Sequence, residues 1–162
     1  AHQGQVSVVE FCPDGALLVS CGQDQTVRLW DVAGARQLKQ LAAGDREIYS
    51  VTFSRDGKTV AAGGVDKKVR IFDVLTGQLT RTIEGHEDFV YGVRFSPTSA
   101  RLLSCGYSGH LAIWNAASGQ ALFEHEVGQV AYTAIYNHDG TKVVGPADNG
   151  RLYFIDVSQS AR

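Results

Sequence analysis

Histidines, cysteines, a basic cluster and scattered carboxylates are the residues of this chain that could do chemistry, and their spacing argues against most of it. A metal centre needs His, Cys or carboxylate ligands at short intervals, and His2, His86, His110, His125 and His138 are scattered. Cys12, Cys21 and Cys105 are an odd set, so they form no complete disulfide framework. They read as small buried thiols. Lys67, Lys68 and Arg70 form the densest basic cluster, but acidic residues flank it, as on a solvated strand edge. Gly63-Gly64 follows a strand-like run with no helix after it, so it does not make a phosphate loop. Asp14, Asp56 and Asp139 recur at equivalent turns, where Asp-Gly turn geometry already accounts for them. No catalytic group, metal ligand or cofactor site is expected.

The composition sets the surroundings. The chain has 162 residues, 44% hydrophobic and 20% charged, within the range of a globular domain. Glycine is abundant at 18 and proline scarce at 3, a balance that suits many tight turns in regular structure. A net charge of −2 argues against a nucleic-acid surface, which carries a basic excess. No apolar run approaches the roughly 18 residues of a membrane span. Unpaired cysteines and no visible signal peptide point to the cytoplasm.

These residues are positioned by a repeat. Four segments end alike: Arg28-Leu29-Trp30-Asp31, Arg70-Ile71-Phe72-Asp73, Ala112-Ile113-Trp114-Asn115 and Tyr153-Phe154-Ile155-Asp156. The closing residues are spaced by 42, 42 and 41 positions. The units span approximately residues 2–41, 42–83, 84–125 and 126–162. Each reads as four short antiparallel strands, here a to d. In the second unit these are Ile48–Phe53, Thr59–Gly63, Lys68–Asp73 and Gln78–Ile83. The other first strands are Val6–Phe11, Val90–Phe95 and Ala131–Tyr136. Strands a to c are apolar on both faces, so each sheet must be covered by its neighbours. Sheets stacked radially in this way make an all-β propeller.

The Trp-Asp position (Trp30-Asp31, Phe72-Asp73, Trp114-Asn115, Ile155-Asp156) and the single intact Gly85-His86 resemble WD40 repeats across essentially the whole chain. The resemblance implies a hydrogen-bonded tetrad within each unit. Unit one carries all four members as His2, Ser20, Asp24 and Trp30. Unit three has His86, Ser104 and Trp114, with Ser108 in the place of the Asp. Unit two keeps Asp66 and loses the His and the Trp, and unit four keeps only Asp148 or Asn149. A carboxylate, an imidazole and a hydroxyl in a row also describe a nucleophilic triad. Here the Ser falls inside a strand, not on an exposed elbow, and a structural network pinning loops to the sheet is the reading adopted.

The resemblance further implies a non-catalytic scaffold that meets other proteins on the face of the d–a and b–c loops. Tyr49, Tyr91 and Tyr132 share one register in strand a, where unit one has Ser7. Tyr supplies large contact area at low entropic cost. With them go Arg46, Glu47, Asp88, Phe89, Gln23, Val65 and Tyr107 from nearby loops. The alternative is that the tyrosines only pack between blades. Four units are fewer than the resemblance leads one to expect of a ring. The chain is expected to be the C-terminal part of a longer propeller, its last blade lacking the outer strand. Two copies pairing into an eight-bladed ring is the alternative; a module of an enzyme whose chemistry lies elsewhere is the third reading.

Overall fold

The computed structural model describes residues 1–42, 44–128, 130–146 and 150–158. Sheet one comprises β1 (Val6–Phe11), β2 (Leu17–Gly22), β3 (Thr26–Asp31) and β4 (Arg36–Ala42). Sheet two comprises β5 (Ile48–Phe53), β6 (Thr59–Gly64), β7 (Val69–Asp73) and β8 (Leu79–Ile83). Sheet three comprises β9 (Val90–Phe95), β10 (Arg101–Gly106), β11 (His110–Asn115) and β12 (Ala121–Glu126). Sheet four has β13 (Ile135–Tyr136), β14 (Lys142–Pro146) and β15 (Leu152–Asp156). Within each sheet the strands pair antiparallel in chain order. The all-β propeller-type architecture expected from the repeat is therefore present, with three strands described in the last blade.

The core lies between sheets, not inside any one of them. Val19, Cys21 and Leu29 of blade one meet Val51, Phe53, Val60 and Phe72 of blade two. Ala61, Val69 and Ile71 meet Val93, Leu102 and Trp114 of blade three. Leu103, Cys105 and Ile113 meet Ala131, Ala134 and Val143 of blade four. Alternation along a strand produces this division: on β6, Val60 and Ala62 face blade one while Ala61 faces blade three. Each fully buried aliphatic side chain contributes about 1.5–3 kcal/mol, so every blade depends on its neighbours.

The innermost strands lie against one another, β5 on β1 and β9 on β5. Their free backbone edges are covered across the blade boundary. The Glu10 carboxylate accepts from the Phe53 amide at 2.8 Å and the Thr52 hydroxyl at 3.0 Å. The Ser50 hydroxyl accepts from the Val93 amide at 3.1 Å.

One strand is shorter than its sequence suggests. The run Ala131–Tyr136 predicts a full first strand in blade four, and only Ile135–Tyr136 pairs. Tyr153 donates its hydroxyl to the Thr133 carbonyl at 3.2 Å, and the Ala131 amide donates to Gly106 of blade three at 3.1 Å. Those backbone groups are satisfied outside the ladder. The turn residues Asp148 and Asn149, read as the tetrad remnant of unit four, lie outside the described residues.

Candidate functional site

Two sets of residues need placing: the tetrads and the aromatic register. In blade one, His2 Nδ1 donates to both oxygens of Asp24, at 2.9 and 3.0 Å. Its Nε2 lies 2.6 Å from the Ser20 hydroxyl, which accepts the Trp30 indole N–H at 2.8 Å. Asp24 also accepts from the Gln3 amide, the Thr26 hydroxyl and the Arg28 guanidinium. Burial opposes its ionisation, but the bonds from His2, the Gln3 amide and Thr26 outweigh burial and hold its carboxyl far below the usual carboxylate range.

Blade three brings His86, Ser104 and Trp114 together, with His86 Nε2 2.6 Å and the Trp114 indole nitrogen 2.7 Å from the Ser104 hydroxyl. Ser20 and Ser104 are both buried. An indole proton occupies an oxygen lone pair, and the hydroxyl proton is committed to the imidazole. That geometry ties the d–a loop to strands b and c and presents no exposed nucleophile.

Blade two replaces the set as a whole. Ala62 stands in the serine register and Phe72 in the tryptophan register, so neither a hydroxyl nor an indole N–H needs a partner. Asp66 pairs with Arg70 at 2.6 Å instead. A Cβ at Gly44 would come within 2.9 Å of Asp66 and 3.2 Å of Arg70, so a bare glycine backbone crosses where blade one has its His2 strap.

The cysteines are unsuited to chemistry. Burial pushes Cys21 and Cys105 each up to about 12 and raises Cys12, so all three stay protonated thiols at neutral pH.

The aromatic register forms a contiguous surface. Tyr49 and Tyr91 have ring centroids 5.2 Å apart, and Tyr91 and Tyr132 are 5.3 Å apart. Phe89 and Tyr107 complete the cluster, each within 6.5 Å of the Tyr91 ring. Tyr132 and Tyr107 are 55% and 49% exposed. Tyr49 and Tyr91 come from the inner strands β5 and β9, whereas Tyr132, expected in the equivalent strand, lies in the unpaired segment before β13 and still stacks in line with them. Glu47 accepts the Tyr49 hydroxyl at 3.3 Å, and Asp88 accepts the Phe89 amide at 2.7 Å. Burial, with Glu47 adding to it for Tyr49 and with Tyr132, Tyr107 and Asp88 for Tyr91, raises both phenols, so they remain neutral donors. Arg46 is exposed on the loop before β5 and takes part in none of these ring contacts among the described residues. Gln23 and Val65 bond to the loops beside them, Gln23 to Gln5 and Val65 to the Glu47 carbonyl.

The loop approach depends on recurring glycines. A Cβ at Gly22, Gly64 or Gly106 would collide with the backbone carbonyl of Gln5, Glu47 or Phe89. Those carbonyls accept the amides of Gln23, Val65 and Tyr107 at 3.0, 2.9 and 3.0 Å. The sequence names Gly64 only as a failed phosphate loop and His110 only among scattered histidines, and it gives Gly22, Gly106 and Glu124 no role. His110 Nδ1 lies 3.4 Å from His86 Nδ1, and His110 Nε2 lies 3.5 Å from a Glu124 oxygen. The signal was there in the Ser108 that stands where an Asp belongs.

The WD40 family model (WD domain, G-beta repeat) matches residues 1–31, 36–73 and 77–115. An uncharacterized WD repeat-containing protein of Schizosaccharomyces pombe is 52% identical over 31 residues, 19% of this chain and 4% of that protein. Small ribosomal subunit protein RACK1 of Medicago sativa and that of Glycine max are each 44% identical over 43 residues, 26% of this chain and 13% of theirs.

Proposed function

The chain belongs to the WD40 family, and from that premise we propose that it is a non-catalytic platform for other proteins, with the Tyr49–Tyr91–Tyr132 row as its contact surface. One observation carries the choice of surface: five aromatic rings from different blades and loops form one patch, two of them about half exposed. An exposed aromatic patch flanked by the Glu47 and Asp88 carboxylates suits a partner better than water. A triple change of Tyr49, Tyr91 and Tyr132 to Ala, set against partners captured by the unaltered chain, is the test. Capture should be lost while the far-ultraviolet circular dichroism stays β-type; unchanged capture rejects the site.

We further propose that these blades sit in a larger ring. Val9 is 60% exposed, whereas Val51 and Val93 in the same register are 0% exposed. Phe154 is 68% exposed, whereas its equivalent Ile113 is 0%. The outer faces of blades one and four thus present the side chains that inner blades bury. Further blades would cover both; a second copy of the chain would do so by two-fold pairing. Light scattering separates the cases: a dimer of the isolated chain supports pairing, and a monodisperse monomer argues against both forms of sticky face.

A further inference from the structure

From the way blade three anchors its entry loop, we propose that mild acid releases residues 84–89, and with them Asp88 and Phe89, through His86 and His110. The proposal rests on the preceding reading only for the consequence that this loop borders the partner surface. The release itself stands on the geometry of the two imidazoles.

Proton positions follow from the partners. In blade one the Trp30 N–H donates to Ser20, so the Ser20 hydroxyl donates to His2 Nε2, and the His2 proton sits on Nδ1 facing Asp24. In blade three the same logic runs from Trp114 through Ser104 to His86 Nε2. The proton of neutral His86 is then on Nδ1. The group that faces it is the Nδ1 lone pair of His110, not a carboxylate. His110 in turn points its Nε2–H at Glu124. Among the described residues the Ser108 hydroxyl accepts only the His110 amide, at 3.4 Å, so it does not replace the missing Asp.

A second proton therefore has different consequences in the two blades. On His2 it occupies Nε2 and turns the Ser20 hydroxyl, but the cation it makes is held by the Asp24 carboxylate on Nδ1. On His110 it occupies Nδ1 and sets one N–H against another. On His86 it occupies Nε2 and displaces the Ser104 hydroxyl. Either event in blade three unties the loop from strands b and c. The groups facing this pair are known on every side. Ser104 and Trp114 lie inside; Glu124 and Glu126 line the outer strand; Glu87 and Ser108 close a cavity of about 260 Å³ over His110. Lys67 of blade two donates to the Glu87 carbonyl at 2.7 Å. No carboxylate among the described residues contacts His86. Burial, with His110 adding to it, pushes His86 down to about 4, so a detached loop binds protons that the anchored loop refuses.

Two equivalent amides report the outcome in the full chain. Tyr107 N–H donates to the Phe89 carbonyl in blade three, and Gln23 N–H donates to the Gln5 carbonyl in blade one. Hydrogen exchange by nuclear magnetic resonance, corrected for intrinsic rate, is compared near pH 7.5 and near pH 5. Protection at Tyr107 should fall about tenfold or more while Gln23 changes less than about twofold. The double variant Ser108→Asp with His110→Thr copies blade one into blade three and should abolish the loss at Tyr107. Equal losses at both amides, or an undiminished loss in the variant, overturn the proposal. Imidazole nitrogen shifts of the unaltered chain decide it even if the variant misfolds: a bare Nε2 on His86 at neutral pH is expected, and a bare Nδ1 refutes it. None of these readouts needs a partner, so their failure leaves the contact surface to its own test.

Discussion

In blade one a carboxylate, Asp24, receives the imidazole of the entry loop; in blade three Ser108 stands in its place and His110, from strand c, receives it instead. The first arrangement is charged, short and surrounded by donors. The second is neutral, and its two outer links are 3.4 and 3.5 Å long. Blade three offsets this weakness by packing: Trp114 is only 3% exposed between blades two and three, while Trp30 is half-buried on a blade with one covered face. A conserved-looking dipeptide thus hides two balances, one electrostatic and one steric.

That contrast can be broken from either side. The largest effect is expected from Trp114→Ala, about 3–5 kcal/mol by urea unfolding, because it opens a cavity in a closed interface; Trp30→Ala should cost distinctly less. Equal costs would mean that packing does not distinguish the blades. Next comes Asp24→Ala, about 3 kcal/mol, since it strands Arg28 and His2 with little solvent around them.

The pH dependence follows. His86 titrates below its ordinary value of 6.5, so its contribution is fully present above that pH and declines as pH falls toward about 4. Asp24 is depressed, so its contribution persists until the solution is more acidic than an ordinary carboxylate requires. Melting temperatures measured across this window should fall with acid in the unaltered chain and fall less in His86→Gln. The smallest expected change is a gain. The Tyr136 hydroxyl is buried and, among the described residues, has no hydrogen-bond partner, whereas Phe53 and Phe95 hold its register in blades two and three. Tyr136→Phe should stabilise the chain by about 1–2 kcal/mol in the same urea assay.

The sequence carried the architecture well because β-periodicity and the 42-residue spacing both act locally. Strand bounds at Val6–Phe11, Ile48–Phe53 and Val90–Phe95 need no tertiary information. Ala131–Tyr136 has the same local pattern, yet Tyr153 and Gly106 take its backbone groups, and neither is visible in a six-residue window. The tyrosine row was legible as a register, because equivalent positions in stacked units must align. Its side contacts with Phe89 and Tyr107 depend on loop paths that glycines permit and do not announce. The role of His110 and Glu124 was illegible for another reason: a substitute acceptor on the neighbouring strand leaves no trace in a motif defined by fixed positions.

The covering of β5 and β9 by Glu10 and Ser50 has a consequence for how such an arc behaves in crowded solution. Open strand borders invite foreign peptides to add themselves as extra rungs. Here the previous unit's own carboxylate or hydroxyl already occupies those amides, so an intruder must first evict it. Glu10→Ala would therefore be felt less as lost stability than as a new appetite for cross-β growth, read by thioflavin fluorescence over days.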